Sequence, residues 1–467
     1  MSATVSEKLT ESVSERLSRW AMILTCAEIP IAVQHSAARH LLDGVGLAIA
    51  AHRLHAATAA CTVARTLTSH PGVRMIGGQE RLAVPGAALA NGVLVHALDF
   101  DDTHYQGLVH ATAVTLPAAF AVGQSRQSSG SQVLAASVVG FETVCRVAAA
   151  SPHGFHARGL HATSVSGALA AALVTSRLCN ASETTASHAL GIAGSTSGGL
   201  LEFLDTGSDT KTLHPGLASM NGVIAAELAA AGGHGPNSVL EGKRGLYAAL
   251  SARSADPGFV VAGLGETWET SRISIKPIPA CQLMHVTLDA ARGSTVPVEE
   301  IVRIEAVVHP DSAEVVCEPR EMKNSPRTAY DAKFSLPWSL AAQFIDGEIT
   351  IASYPVDFCE RPEVIRLARL VEITIGSAEG DAAEAAGLVR IHSRDGSVWE
   401  GSVSGSRGTA SHPISDDSIL AKFRANCGDS TLASELSDLM LNLSQQPNLD
   451  RIHDLAATIV TQEAQPR

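Results

Sequence analysis

The sequence predicts a mainly α-helical protein with a smaller α+β domain, on three observations. From about residue 6 to 265, apolar residues recur at spacings of three and four, as in helices that bury one face. After about residue 267, short segments alternate apolar and polar residues, as strands do. The length of 467 residues also exceeds what one hydrophobic core usually serves. We therefore expect a helical domain over 1–267, an α+β domain over 268–403, and C-terminal helices over 404–467 that pack back on the helical domain.

The helices are predicted in order along the first domain. Ser36 is a suitable N-cap for a helix over 37–51. The same apolar spacing continues in five later segments, which are 86–98, 132–149, 165–178, 184–193 and 222–231. Gly-rich and Ser-rich breaks separate these segments and predict the loops between them.

The strands are predicted in the second domain. SRISIKPIP alternates apolar and polar residues, and so do 299–310, 371–377 and 387–404. Asp395 and Gly396 lie between two alternating runs, which is a hairpin signal. The tail segments ASELSDLMLNL and IHDLAATIV are helical again.

Composition and charge exclude several classes of function. The net charge of −13 argues against nucleic acid and acidic membranes as partners, so an anionic small molecule would need a local basic pocket. No apolar run approaches a membrane span of roughly 18 residues. The N-terminal segment carries charges where a signal peptide would be apolar. These observations predict a cytoplasmic protein.

Motif searches predict neither a cofactor nor a metal. The eight cysteines form no Cys-x-x-Cys pair, which favours reduced thiols buried as small apolar residues. The sequence has no P-loop, no dinucleotide-binding Gly-x-Gly-x-x-Gly after a strand, and no Gly-x-Ser-x-Gly. Its nineteen histidines show no His-Glu-x-x-His spacing and no clear set of two histidines and a carboxylate.

The segment LDFDDTHYQGLVHATAV (98–114) gathers polar residues inside an apolar chain. Six of these polar residues fall after one predicted helix and before the next, where a scaffold commonly presents functional groups. They are Asp99, Asp101, Asp102, Thr103, His104 and His110. Helix capping with solvated histidines is the alternative interpretation. The density of these groups favours an active site.

The pentad His-Ala-Thr-x-Val occurs twice, beginning at His110 and at His161, and each copy opens an Ala-rich run. Both histidines should therefore lie at a helix N-terminus, whose dipole keeps an imidazole neutral and able to accept a proton. A core or surface histidine remains the alternative at each position.

Two lysines are candidates for binding a carboxylate. Lys211 lies in DTKTLHPGLAS, between a polar loop and the following helix, and Lys276 lies at the proposed domain boundary before two prolines. A cleft between domains is a common place for a small-molecule site. Two ordinary solvated lysines are the alternative.

Nine segments together resemble the MmgE/PrpD family, and they occur in the family's order across most of the chain. The segments are HALDFDDTH, VHATAV with LPAAFAVG, GLHATSVSGALAAAL, ALGIAGSTSGGL, KTLHPGLAS, VLEGKRGL, KPIPACQLMH, AKFSLPWSLA and ERPEVIRLARLV. The resemblance implies a large helical domain, a smaller α+β lid, a homodimer, a site between the domains, and chemistry without a cofactor. It implies active-site positions for Asp99, Thr103, His110, His161, Lys211 and Lys276.

The resemblance also places Cys281, Gln282 and His285 in the lid motif led by Lys276. Gln282 offers only a neutral amide to a substrate carboxylate, where an arginine would make a bidentate ion pair. Asp102 and His104 complete the expected substrate-binding set, within the motif HALDFDDTH.

The mechanism we expect is proton chemistry beside a carboxylate of a small di- or tricarboxylate. His161 is the expected principal acid or base, His110 its partner, and Asp99 the group that orients a neighbouring ring or amide, although the two histidine roles could be exchanged. Lys211 and Lys276 would stabilise the developing negative charge. The resemblance favours a lyase, usually a dehydratase, with a decarboxylase as the other candidate. Epimerisation by two bases and a non-catalytic dimer that binds polyanions are the alternatives.

Overall fold

The computed structural model describes residues 11–355, 361–378, 382 and 385–462. The N-terminal ten residues and Cys359, both used in the sequence predictions, lie outside this range. The seven cysteines within it are free, four of them buried and three partly exposed.

The first part of the chain is helical, as predicted. Its helices are α1 (Val13–Ile23), α2 (Ile31–Arg53), α3 (Thr58–Thr66), α4 (Val84–His96), α5 (Ala111–Ser125), α6 (Gly130–Ala149), α7 (Gly154–Ala157), α8 (Ala162–Leu178), α9 (Glu183–Ser195), α10 (Phe203–Thr206), α11 (Thr210–Ala230) and α12 (Leu246–Leu250). Helices α4, α5, α6, α8 and α11 pack on one another and form the centre of this part.

Two predicted helix starts are wrong. Ser36 is inside α2, which begins at Ile31 after Pro30, because a proline is well tolerated just before the first turn, where backbone N–H groups lack partners anyway. α11 begins at Thr210 rather than at 222, and Pro215 is inside it. A proline near the start of a helix removes only one backbone hydrogen bond. Lys211 therefore lies in the first turn of α11 rather than between a loop and the helix.

The second part combines helices with a four-stranded sheet. Its elements are β1 (Thr103–His104), which precedes it in the chain, β2 (Ile273–Ser274), α13 (His285–Ala291), β3 (Ile301–Val308), α14 (Pro310–Val316), α15 (Arg320–Asn324), α16 (Ala329–Ala332), α17 (Leu336–Asp346), α18 (Pro362–Ala368), β4 (Val371–Ile375), β5 (Gly387–Ser393) and β6 (Val398–Val403). The sheet order is β4-β3-β5-β6, with β3 and β4 parallel. The predicted hairpin is confirmed, with Gly396 at φ 86° in its turn.

The described residues form two hydrophobic cores. The first contains the N-terminal helices and also the C-terminal helices α19 (Asp416–Cys427), α20 (Thr431–Leu441) and α21 (Asp450–Gln462), which pack on α2. The second contains the sheet and the helices around it. Along the chain the cores change over between Ile275 and Ile278. The domain limits at 267 and 403 stay a prediction.

One helix in the described part of the chain, α6, is long and apolar enough to cross a membrane by length and composition alone. Of its most apolar window, 94% is buried inside the fold. A helix that packs on several others is apolar on all sides for that reason.

Candidate active site

A short two-stranded ribbon joins the segment 98–104 to the second part of the chain. β1 and β2 are antiparallel, with Thr103 opposite Ser274 and His104 opposite Ile273. Lys276 lies two residues after the end of β2, so this pairing brings its ammonium group against the polar segment. The sequence prediction had placed a longer strand here, but only Ile273–Ser274 is extended and paired.

Helix α11 brings Lys211 to the same place. It crosses α4 so closely that a Cβ atom on Gly92 would lie 2.5 Å from the Cα of Gly216. The first turn of α11 therefore lies beside the chain that leaves the end of α4, and Lys211 reaches Asp99 from there. Any larger residue at Gly92 would push the two helices apart.

Asp99 receives both ammonium groups. Its Oδ1 lies 2.9 Å from Lys211 Nζ and 3.5 Å from Lys276 Nζ, and its carbonyl oxygen accepts a hydrogen bond of 2.9 Å from Lys276. Burial alone would raise the pKa of Asp99, but Lys211 and Lys276 bring that pKa well below its usual range. Asp99 is thus an ionised counterion of two lysines, whereas the sequence suggested that it orients a ring or an amide.

The carbonyl of Asp102 fixes the tautomer of His110. His110 Nδ1 lies 2.8 Å from that oxygen, and because a carbonyl only accepts, Nδ1 carries the proton. The Nε2 atom of neutral His110 is then unprotonated, and its lone pair can accept a proton. The carboxylate of Asp101 lies 3.7 Å from the same Nδ1 and bonds to His96 Nδ1 at 2.8 Å. Asp101 therefore holds the ring of His96, in the role that had been assigned to Asp99.

The side chain of Asp102 is a structural anchor. Its carboxylate accepts hydrogen bonds from the backbone N–H of Thr112 at 3.0 Å and from the hydroxyl of Thr112 at 2.5 Å. His40 Nδ1 lies 2.9 Å from the same carboxylate. Burial opposes the ionised form, but these hydrogen bonds lower the pKa of Asp102. Asp102 thus ties the polar segment to the first turn of α5.

Three imidazoles meet beside Asp99. The ring centroids of His96 and His110 are 4.6 Å apart, and His161 lies 6.0 Å from His110 and 6.2 Å from His96. His110 is the N-cap residue of α5 and His161 that of α8, which confirms the predicted positions.

The three imidazoles are neutral near pH 7. Burial is the largest cause of their lowered pKa values, and the ammonium of Lys211 adds to it. The pKa of His110 falls to about 3, with Asp101 opposing the shift. The sequence prediction of neutral histidines therefore holds, but burial rather than the helix dipole is the main cause.

His161 shares a proton with His214. Their Nδ1 atoms are 3.1 Å apart, so one of them carries the proton and the other accepts it. Burial also lowers the pKa of His214, to about 4. If His161 donates, its Nε2 is a base; if His214 donates, His161 carries its proton on Nε2. Both states need only a change of tautomer.

The remaining residues predicted in the first part are placed differently from one another. Thr103 Oγ1 lies 3.5 Å from His110 Nδ1, at the edge of the cluster. His104 Nε2 lies 2.9 Å from the carboxylate of Glu269, and its Nδ1 accepts from the N–H of Gly107. The ring of His104 is therefore occupied by structural contacts.

The three predicted lid residues differ too. The Cys281 N–H donates to the carbonyl of Lys333 at 2.9 Å, and burial raises the pKa of its thiol. His285 Nε2 lies 3.2 Å from the carbonyl of Ala280, a contact within the lid, and burial lowers its pKa to about 3. Gln282 is buried, and neither amide atom has a partner among the described residues. An unpaired buried amide is available to a ligand.

Sequence reasoning missed His96, His214 and Lys333, and it included Asp101 in the polar segment without giving it a role. His96 and Asp101 are both part of the motif HALDFDDTH, so the signal was present. His214 lies in KTLHPGLAS, a segment in which the sequence singled out only Lys211. Lys333 lies in AKFSLPWSLA and is buried in the structure.

His96, Asp99 and His110 also form a group with the donor types of a metal site. Each offers one ligand atom, and these atoms lie within 4.8 Å of one another. The carboxylate of Asp99 already faces two ammonium groups, however, and like charges at this distance disfavour a further cation. The carboxylate of Asp99 is therefore better suited to its two lysine partners than to a metal ion.

A cavity of about 1410 Å³ lies beside the segment 98–104. Leu98 and Phe100 line it, whereas Asp99 and Asp101 contact the lysines and histidines. Pro277 and Tyr354, from the second part of the chain, also line this cavity. The polar segment therefore separates a large open space from the buried cluster.

A mainly helical protein with three neutral imidazoles beside two ammonium groups and a carboxylate has the equipment of an acid–base enzyme. Residues 15–257 match the MmgE/PrpD N-terminal domain, and residues 278–443 match the MmgE/PrpD C-terminal domain. The chain belongs to the MmgE/PrpD family. Its fold, mainly helical with a smaller α+β part, is the one that the sequence predicted.

The curated relatives that match are decarboxylases by name. Cis-aconitate decarboxylase of Aspergillus terreus is 28% identical over 472 residues, covering 95% of each chain. A cis-aconitate decarboxylase-like protein, oryM of Aspergillus oryzae, is 25% identical, covering 96% of this chain and 98% of its own. Cis-aconitate decarboxylase of Homo sapiens is 28% identical over 75% of this chain and 74% of its own. These relatives support a lyase at the level of the family.

Proposed function

We propose that the protein is a cofactor-independent lyase that acts on a small polycarboxylate, with the decarboxylation of cis-aconitate as the first reaction to test. The observation that carries the proposal is the fixed tautomer of His110. Its Nδ1 is held by the Asp102 carbonyl, and Nε2 has no hydrogen-bond partner among the residues that the structure describes. Such a ring can exchange a proton with a ligand without first breaking a contact. The names of the matched relatives support the same substrate class.

The local charge suits an anionic substrate. Lys211 and Lys276 outnumber the one carboxylate that they contact, that of Asp99, so this group of three has an excess of one positive charge in a chain of net charge −13. An incoming carboxylate can share the ammonium groups with Asp99. Fixed cations that need no rearrangement stabilise the charge that develops as a bond beside a carboxylate breaks.

Decarboxylation requires a proton donor, and the histidines are the candidates for it. Loss of CO₂ breaks a C–COO⁻ bond and leaves an electron pair, which shifts along the conjugated system and takes up one proton at carbon. A neutral histidine with a pKa of about 3 carries no spare proton at pH 7. A bound carboxylate raises the pKa of a neighbouring imidazole, so substrate binding itself favours protonation of the histidine that then acts as the acid. We assign His161 or His110 as this acid, with the other as its partner.

A reaction in D₂O tests the proposal and separates its alternatives. With cis-aconitate, the proposed decarboxylase releases CO₂ and gives a dicarboxylate with one deuterium on carbon, which proton NMR detects. Release or uptake of water with carbon retained indicates a dehydratase, and exchange of an α-proton without any other change indicates an epimerase. Tight binding of tricarboxylates without turnover or exchange would support the polyanion-binding protein and contradict the proposal.

Two variants test the assigned residues. His110→Asn and His161→Asn each remove an imidazole from the cluster, and we expect turnover to fall by roughly 10²- to 10⁴-fold, the usual contribution of general acid–base catalysis. His35→Asn is the matched control, because that ring is exposed and pairs with Asp416 on the surface. Full activity in both cluster variants would refute the assignment.

A further inference from the structure

Three successive carbonyl groups in the polar segment each accept a hydrogen bond from a lysine. Lys333 donates to Leu98, Lys276 donates to Asp99 at 2.9 Å, and Lys422 donates to Phe100 at 2.9 Å. All three ammonium groups are on buried side chains. Asp99, at the centre, has a φ of 50°, a left-handed conformation that few residues other than glycine adopt.

The three lysines come from distant parts of the chain. Lys276 follows the ribbon strand β2, Lys333 follows α16 beside the second core, and Lys422 is on α19 in the first core. Their contacts therefore hold one segment between both cores. A movement of the second core relative to the first would break the bonds from Lys276 and Lys333 together.

Lys333 differs from Lys422 in its counterion. Lys422 Nζ lies 2.8 Å from the carboxylate of Asp43 and 3.8 Å from the ring centroid of Phe100. For Lys333, the described contacts are the bond to the Leu98 carbonyl and the ring of Tyr354, whose centroid lies 5.7 Å away. A buried ammonium without a carboxylate in contact is costly, so its position calls for a functional reason.

We propose that Lys333 is a positioning residue, whose ammonium holds the Leu98 carbonyl and so fixes the second core against the segment that carries Asp99. It acts through Asp99, Lys211 and Lys276 rather than on the substrate. This inference rests on the proposed function for its kinetic consequences, but its structural claim stands on the contacts alone.

The charge of Lys333 makes the contact sensitive to pH. Burial lowers its pKa to about 8; Asp99 and Asp101 raise it, and Lys276 and Lys211 lower it further. The ring of Tyr354 faces the same ammonium. Because the charged form exists below this pKa, the bond to Leu98 is strongest below about pH 8 and weakens as pH rises through that value.

Three variants test the proposal by kinetics. Lys333→Met removes the donor, and we expect kcat to fall by about 10- to 100-fold with a smaller change in KM, as for a misplacement of reacting groups by about 1 Å. Lys333→Arg keeps a charge that does not titrate in this range. We expect the unaltered protein to lose activity above pH 8, and we expect Lys333→Arg to restore part of the activity of Lys333→Met and to abolish that alkaline loss.

Lys323→Met is the matched control. Lys323 is a partly buried lysine of the second part, and it donates to the carbonyls of Val315 and Phe334, both in that same part. We expect this variant to lose stability while keeping the pH profile of kcat. If Lys333→Met keeps full kcat and the same alkaline loss, or if Lys323→Met changes both as strongly, the proposal is wrong.

A measurement without substrate separates this proposal from the proposed function. Amide hydrogen exchange of peptides that cover 98–104 reports the order of the segment directly. We expect faster exchange there in Lys333→Met than in Lys323→Met, at pH 7 and for the full chain. Equal exchange in the two variants would overturn the positioning role, even if the protein acts on no polycarboxylate. Faster exchange without turnover of any polycarboxylate would contradict only the proposed function.

Discussion

Replacing Asp99 by asparagine removes the counterion of two buried lysines without changing the size of the side chain. At an effective dielectric constant of about 20, unit charges separated by the 2.9 Å between Asp99 Oδ1 and Lys211 Nζ attract by about 6 kcal/mol. The cost of desolvation offsets part of this attraction. Breaking a buried pair by removing one partner typically costs about 3–5 kcal/mol. Because Lys276 loses the same counterion, we expect Asp99→Asn to cost about 4–5 kcal/mol, the upper part of that range.

Denaturant unfolding in guanidinium chloride measures this loss. The first cooperative transition should be followed, because a protein with two cores need not unfold in one step. Glu435→Gln is the control: its partner Arg451 lies 2.6 Å away, and both side chains are more than two-fifths exposed, so the expected cost is below about 1 kcal/mol. A loss for Asp99→Asn no larger than that of the control would refute the counterion role.

The pH dependence gives a second check on Asp99. Its pKa is lowered in the folded protein, so its contribution to the free energy of unfolding is complete above the unfolded value of about 4 and is lost as pH falls through the folded pKa. The difference in stability between the unaltered protein and Asp99→Asn should therefore be constant from pH 5 to 8 and shrink only in stronger acid. A difference that disappears already near pH 6 would contradict this reasoning.

Three further predictions concern the histidines and the surface. His214→Leu removes the Nδ1 partner of His161 and should lower kcat by about 10-fold or more, whereas His214→Asn, which can still donate or accept, should lose less; equal losses would contradict the shared proton. Binding of a tricarboxylate should be accompanied by proton uptake at pH 7, since the pKa of His110 in the ligand-free protein is about 3 and a bound carboxylate raises it. Calorimetry in buffers of different ionisation enthalpy measures this uptake, and its absence would contradict protonation of the acid on substrate binding. The expected homodimer would use the exposed face of α11, where Ile224 and Leu228 are 38% and 50% exposed; Ile224→Asp should then give monomers in light scattering, and an unchanged mass would exclude this face.

The helical scaffold was predictable because its signal is local. The apolar spacing in 132–149 corresponds to α6 (Gly130–Ala149), and the two His-Ala-Thr pentads mark the starts of α5 and α8. The start of α11 was not predictable by the same reasoning. Pro215 and the polar residues before it have the composition of a loop, and only packing of α11 against α4 and α8 keeps them helical.

The identity of the site residues was easier to predict than their partners. Asp99, His110, His161, Lys211 and Lys276 lie together in the structure, with ring and charge contacts among neighbours. The carboxylate of Asp99 pairs with lysines, and that of Asp101 bonds to an imidazole. This division depends on the turn at Asp99, where a residue of positive φ sets the directions of the side chains. Sequence pattern carries no signal for that choice.

Lys333 and His214 were missed for a related reason. Lys333 is 235 residues from its acceptor Leu98, and His214 is 53 residues from His161. No periodicity links positions so far apart. A buried lysine without a contacting carboxylate also runs against the general preference of lysine for the surface. Residue type alone therefore argues against predicting Lys333 as part of the site.

The order in which a ribosome makes this chain bears on when the polar segment acquires its structure. Asp99 leaves the ribosome long before Lys276, and Lys333 and Lys422 follow later still. Until about nine-tenths of the protein has been synthesised, at least one carbonyl of that segment lacks its donor. A truncated translation product would therefore contain the imidazoles of α4, α5 and α8 beside a turn that lacks at least one of its lysine donors. We expect premature termination to leave this cluster without its ordered neighbours.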